Sequence, residues 1–199
     1  FIAKDSETGS KMFWKIYHEF PELQAEFSKA KMIGLGTTDP SFLYTTKAGG
    51  LVRTLEDLKG LKIRAAGAWQ GDVAGALGAT PVGIMVAEVY LALEKGTVEG
   101  AIMPLNAVKQ FKLGEVLKYY TFWKGSSLSV FPWVISMNWD SWNSLPPDIQ
   151  KIMGEELGND GSWFSPWAGT YYGKYADAGI QFGKEHGGEF YTLPPEEVE

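Results

Sequence analysis

Leu55-Glu56-Asp57-Leu58-Lys59-Gly60-Leu61-Lys62-Ile63-Arg64 frames the reading of the whole chain. It reads as a capped turn of helix, a glycine break and a short strand. Leu61 and Ile63 alternate with Lys62 and Arg64, the period-two pattern of a β-strand. Gly67 and its small neighbours then open a loop into the next helix. An arginine at the carboxyl end of a strand in an α/β sheet stands where ligands bind. Its planar fork of donors suits a carboxylate. Arg64 is thus a candidate anchor, with a solvated surface charge as the plainer alternative.

Downstream the rhythm is regular. Trp69 to Leu77 predicts a helix with Gly78 as a left-handed cap, and Pro81 to Ile84 a short strand. Ala87 to Lys95 predicts a helix with Val89, Tyr90 and Leu93 inward, and Val98 to Met103 an apolar strand closed by Pro104. Leu105 to Val116 reads as helical and Lys118 to Trp123 as a strand. Strands and helices alternating at this spacing predict a largely parallel α/β sheet. Upstream, Ser10 is the expected N-cap of a helix bearing Phe13, Ile16, Tyr17 and Phe20. Pro21 either kinks that helix or starts a second. Lys31 to Gly36 and Phe42 to Thr46 read as strands either side of an Asp39-Pro40 turn.

The second half has a different texture. Leu128 to Met137 reads as a buried strand, Asn138 to Leu145 as a short helix or turn, and Pro146-Pro147-Asp148 as the start of another helix. Ser162 to about Glu185 predicts one long helix, weakened by Gly169, Gly173, Gly179 and Gly183. Phe190 to Leu193 is a final strand.

A chain of 199 residues can form one large domain or two small ones. A net charge of -6 argues against nucleic acid as a partner, which requires a basic face. With no cysteine, thiol catalysis, thiolate metal sites and disulfides are excluded together. The 8 Trp, 9 Tyr and 11 Phe are the unusual feature of the composition: large aromatics pack cores and also line pockets for organic ligands, and core packing is the safer reading for most of them. Both ends look cut: the chain opens on Phe1, and Pro194-Pro195-Glu196-Glu197 announces a helix that does not follow.

Enzyme signatures are weak. His18 and His186 lie far apart without supporting motifs, and no nucleotide-binding, hydrolase or zinc-protease pattern occurs. Glu155-Glu156 are adjacent, so a helix points them apart, which gives a glycosidase little support. No catalytic residue, metal site or cofactor is expected. Binding fares better. In the predicted parallel sheet Arg64 ends one strand and Met103 another, Trp69 opens the helix after Arg64, and Trp123 ends a later strand. A cation, a thioether and indole rings describe a pocket for an acid with an apolar body. For Trp69 and Trp123, plain core packing is an equal alternative.

Asp57-Leu58-Lys59-Gly60-Leu61-Lys62-Ile63-Arg64 resembles the substrate-binding proteins of TRAP transporters, the DctP-type family. The resemblance continues in register through Ala76-Leu77-Gly78-Ala79-Thr80-Pro81-Val82 and Glu88-Val89-Tyr90-Leu91-Ala92-Leu93-Glu94-Lys95-Gly96-Thr97-Val98-Glu99-Gly100. It resumes at Phe111-Lys112-Leu113-Gly114-Glu115-Val116-Leu117-Lys118-Tyr119 and at Trp142-Asn143-Ser144-Leu145-Pro146-Pro147-Asp148-Ile149-Gln150. It implies a periplasmic-binding-protein-like fold of type II: two α/β lobes, crossing strands and a long hinge-spanning helix. One lobe would hold residues 1–42 and 129–168, without its N-terminal part. The other would hold 43–128 and 169–199, without its C-terminal part. The implied function is capture of a small organic acid between the lobes in the periplasm, without catalysis, and delivery to the membrane permease subunits of a TRAP transporter. By resemblance Arg64 grips the ligand carboxylate. Met103 stands where the family often has asparagine, which points away from sugar acids of the sialic-acid type and toward a less polar acid. The rivals are an effector-sensing domain of a transcription regulator and, behind it, a carbohydrate-active enzyme.

Overall fold

The structure, a computed structural model, describes residues 3–123, 127–154 and 164–197. The helices are α1 (Ser6–Glu19), α2 (Pro21–Glu26), α3 (Leu55–Leu58), α4 (Ala68–Ala76), α5 (Val89–Glu94), α6 (Leu105–Gln110), α7 (Trp139–Asn143), α8 (Pro147–Lys151) and α9 (Phe164–Glu185). The strands are β1 (Ala30–Thr37), β2 (Ser41–Thr45), β3 (Lys62–Ala65), β4 (Thr80–Gly83), β5 (Gly100–Pro104), β6 (Tyr119–Trp123), β7 (Pro132–Asn138) and β8 (Glu189–Leu193). The Glu155-Glu156 pair and the expected helix start at Ser162 lie outside the described residues. The chain divides into two compact units, residues 1–39 with 130–174 and residues 40–129 with 175–199.

In the first unit α1 begins four residues before Ser10, because Asp5 caps it by accepting the Thr8 N–H at 2.7 Å. Ser10 is instead buried, and its hydroxyl accepts the Thr37 N–H at 3.0 Å. Pro21 opens a separate helix, α2, so the chain breaks at Phe20. β1 and β7 form an antiparallel pair from Ala30↔Asn138 to Thr37↔Pro132. Trp14, Met32 and Leu35 form the core between α1 and this pair. The expected buried strand is shorter and more exposed than its apolar sequence implies. In a sheet of two described strands, Val134 and Ile135 keep much of their surface in water.

The second unit holds a six-stranded sheet in the order β4-β3-β5-β2-β6-β8. β3 is parallel to both β4 and β5, and β6 is parallel to β8. β2 is antiparallel to β5 and β6, so the sheet is mixed rather than largely parallel. The reason is chain order. β2 precedes both of its neighbours and is joined to neither by a crossover helix, so no βαβ unit fixes its direction.

Alternation along the strands divides the core into two layers. Tyr44, Ala101, Met103 and Tyr120 face α5 and α6, with Val89, Leu93 and Val108 behind them. Leu43, Ile63 and Ile102 face α4 through Ala74. The helix expected to run to Val116 stops at Gln110. Lys112 adopts a left-handed conformation (φ 56°) and starts a short 3-10 turn at Leu113. Left-handed Gly60 (φ 76°) and Gly78 (φ 93°) bracket the β3–α4 segment, as the sequence indicates.

α9 is continuous despite its four glycines. Three of them are clearances. A Cβ at Gly169 would strike the Glu7 backbone, one at Gly179 would overlap the Leu105 carbonyl oxygen, and one at Gly183 would meet the Tyr120 ring. Only Gly173 faces open space. Close approach therefore outweighs helix propensity at three of the four sites.

Two expectations follow from these contacts. Gly179→Ala lowers stability by about 1–3 kcal/mol through overpacking, whereas Gly173→Ala is neutral or stabilising by up to about 1 kcal/mol. Urea unfolding of the two variants separates the cases. Asp57 accepts the Arg53 N–H at 2.8 Å and the Thr54 N–H at 2.9 Å, and these bonds hold its carboxyl below the usual carboxylate range. A lowered folded-state pKa gives stability that is present above the unfolded value and lost as pH falls through the folded one. Asp57→Ala should thus cost about 1 kcal/mol at pH 7, and the deficit should shrink as acid protonates the wild-type carboxyl. Denaturant midpoints measured from pH 7 down to 3 check this.

Candidate functional site

The carboxyl ends of β3, β4 and β5 lie side by side, and Arg64 rises from the middle strand. Ile63 points into one core layer, so Arg64 points the other way, onto the face shared by Ala101 and Met103. Its guanidinium reaches over both flanking strands: Nε donates to the Ile84 carbonyl at 3.0 Å and Nη1 to the Ile102 carbonyl at 3.5 Å. The residue is only 3% exposed. Burial lowers its pKa from the ordinary value, yet a guanidinium remains cationic at neutral pH.

No described carboxylate pairs with it. The ion pairs among the described residues involve Lys4, Lys11, Lys15, Lys59 and Lys118, all on the surface. A buried cation without a counter-ion is costly, and two neutral carbonyls offset only part of that cost. The site is electrostatically incomplete, and what would complete it is an anion.

Other groups at the same edge suit that role. α4 starts at Ala68 after the N-cap Gly67 (φ 146°), which provides no side-chain cap for its first N–H groups. Gln70 crosses back to accept the Ala66 N–H at 2.7 Å. Ser41 opens β2 opposite Pro104 and bridges to Ser129, and both hydroxyls are buried without a described partner. Neither Gln70 nor the two serines carries a pattern that marks it in sequence; only the strand register brings them to Arg64's end of the sheet.

The four candidate residues separate. Met103 shares Arg64's face one strand away but is 1% exposed and packed in the core layer with Tyr44 and Tyr120. Trp69 lies in the first turn of α4 and is 50% exposed. Trp123 lies on the opposite face. It packs on Phe42 with ring centroids 5.3 Å apart and lines a cavity of about 270 Å³ together with Leu43, Ile63, Ala74 and Ile102. That cavity is mostly apolar, and its charged lining residues, Arg53 and Glu197, are exposed. The stronger demand for a ligand comes from Arg64. Among the described residues no group of three or more His, Asp or Glu could hold a metal ion, and no helix is long and apolar enough to cross a membrane.

The sequence profile described as bacterial extracellular solute-binding protein, family 7 (DctP) matches residues 1–199. A solute-binding protein of Sulfitobacter sp. strain NAS-14.1 is 37% identical over 111 residues, covering 54% of this chain and 33% of that protein. A TRAP solute-binding protein of Rhodoferax ferrireducens T118, crystallised with copurified benzoate, superposes with a TM-score of 0.88 at 29% identity. The match covers 98% of this chain and 59% of that one. A TRAP solute-binding protein from an unidentified marine microbe gives a TM-score of 0.90 at 22% identity, covering 98% and 60%. The chain thus spans about a third of that curated relative and about three fifths of these solved structures. The two-lobed α/β fold is that of the TRAP binding proteins, a group defined by capture of solutes rather than by turnover. On the match along its whole length, the chain belongs to the DctP family of bacterial extracellular solute-binding proteins.

Proposed function

We propose that this protein captures a small organic monocarboxylate outside the cytoplasm, in the periplasm, and hands it to the membrane permease of a TRAP transporter. One observation carries the reading: Arg64, 3% exposed, has carbonyl contacts and no described carboxylate partner. The ligand's carboxylate is the missing counter-ion. Trp69, half exposed on the helix after Arg64, would cover an apolar ligand body, while Met103 packs in the core beneath the neighbouring strand and leaves that strand end without a polar side chain at this position. The benzoate of the Rhodoferax relative supports an aromatic acid as the class to test first.

Calorimetric titration of the full-length protein with benzoate tests the anchor. Arg64→Ala should reduce affinity at least tenfold, because a hydrogen-bonded charge contributes about 1.5–3 kcal/mol. Arg64→Lys should also weaken binding, since an ammonium does not reproduce the planar fork. Unchanged affinity in both variants would remove Arg64 from the site. For location, the mature protein is expected in the osmotic-shock fraction of the native host, and retention with cytoplasmic markers would contradict the transport role.

A further inference from the structure

The cavity of about 270 Å³ beside Trp123 lies on the sheet face turned away from Arg64. Leu43, Ile63 and Ile102 line it from the sheet, and Ala74 lines it from α4. Every lining residue belongs to the second unit, and Arg64 is not among them. Side chains alternate along β3, so Ile63 enters the cavity while Arg64 leaves on the other side. The sheet thus stands between this space and the cation.

The polar groups of the cavity restrict what can occupy it. Ser127 lines it, is 5% exposed, and its hydroxyl has no hydrogen-bond partner among the described residues. A buried hydroxyl left without a partner is costly, and a ligand inside the cavity can supply one. The Thr121 hydroxyl is already committed, donating to the Val52 carbonyl at 3.0 Å. Arg53 and Glu197 are exposed and opposite in sign, and the Arg53 guanidinium lies 5.4 Å from the Tyr191 ring centre. Neither sign of charge is therefore favoured, and an ionised ligand would lose its hydration without a buried counter-charge. The occupant that fits is neutral and apolar, with one hydrogen-bonding group. An apolar cavity of about 150 Å³ holds benzene, so about 270 Å³ has room for a second fused ring.

We propose that this cavity is a second small-molecule site, which takes a neutral bicyclic aromatic of the indole type. The ring system fills the space between the sheet residues and Ala74, and its N–H donates to the Ser127 hydroxyl. This goes beyond the organic-acid reading and does not depend on it, because the cavity and Arg64 are on opposite faces of the sheet.

The test is titration of the full-length protein with indole, followed by the assigned methyl NMR signals of Leu43, Ile63 and Ile102. In the wild type these signals should move and saturate, with or without benzoate present. Ala79→Phe, which adds a ring at a half-buried lining position, should weaken indole at least tenfold. Ser127→Ala should weaken indole about three- to tenfold. The same variant should leave indene, which has the shape of indole without its N–H, within twofold of wild type. Arg64→Ala should also leave indole within twofold. Stationary methyl signals in the wild type would overturn the proposal, however the variants behave. Nuclear Overhauser contacts that place another segment of the full-length chain inside the cavity would overturn it as well. So would a tenfold loss of indole in Arg64→Ala, which would put indole at the acid's site. Equal losses of indole and indene in Ser127→Ala would remove Ser127 as the polar anchor.

Discussion

A guanidinium removed from water needs acceptors, and the second unit is arranged to supply too few of them. Two parallel neighbours give Arg64 one backbone carbonyl each, Ile84 and Ile102. Those carbonyls are available only because β3 lies between β4 and β5 and all three strands end at the same edge. The left-handed glycines at 60 and 78, the short α4 and the tight βαβ turns set that edge. The same edge receives β2, which runs the other way and brings Ser41 alongside Pro104. Fold and site are thus one problem, in which sheet order decides which charge is left short.

Much of this was legible in the chain. Period-two alternation placed Ile63 and Arg64 on opposite faces, and glycines at helix exits marked α4 and α5 with ends correct to within two residues. Failures came where a distant partner overrode a local signal. Ser10 looks like a cap, but Thr37 claims its hydroxyl and Asp5 caps instead. Leu105 to Val116 has a helical period, yet Lys112 turns left-handed inside it. The direction of β2 could not be read locally, since neither of its neighbours is adjacent to it in sequence. Arg64 was visible because a strand-end arginine is a pattern. The burial of Gln70 was not, because it comes with a hydrogen bond to Ala66 that leaves no periodic trace.

The aromatic surplus has a structural use that composition did not separate from ligand binding. Tyr44, Tyr120, Phe122 and Phe190 form a ladder across β2, β6 and β8, with Tyr120 and Phe190 stacked at 4.5 Å. Burial of the Tyr120 phenol raises its pKa well above the ordinary value. These rings hold the outer strands of the sheet to its centre, and Gly183 and Gly188 leave them room. Phe42 joins the ladder to Trp123 across the sheet. Most rings thus belong to the frame, and among the indoles discussed Trp69 stands apart by its exposure.

The lone burial of Arg64 also divides the labour of discrimination. Folding has already borne the dehydration of the cation, so under the proposed organic-acid reading an arriving acid would meet a charge that is dry and fixed. Every monocarboxylate would collect that same advantage, benzoate no more than acetate. On that reading the arginine would select a chemical class and be blind to rank within it. Preference among acids would then come from groups that carry no charge, such as the breadth of an indole or the space a ring can fill. In such a protein a change of diet would be written in its apolar walls, while the cation stayed where it is.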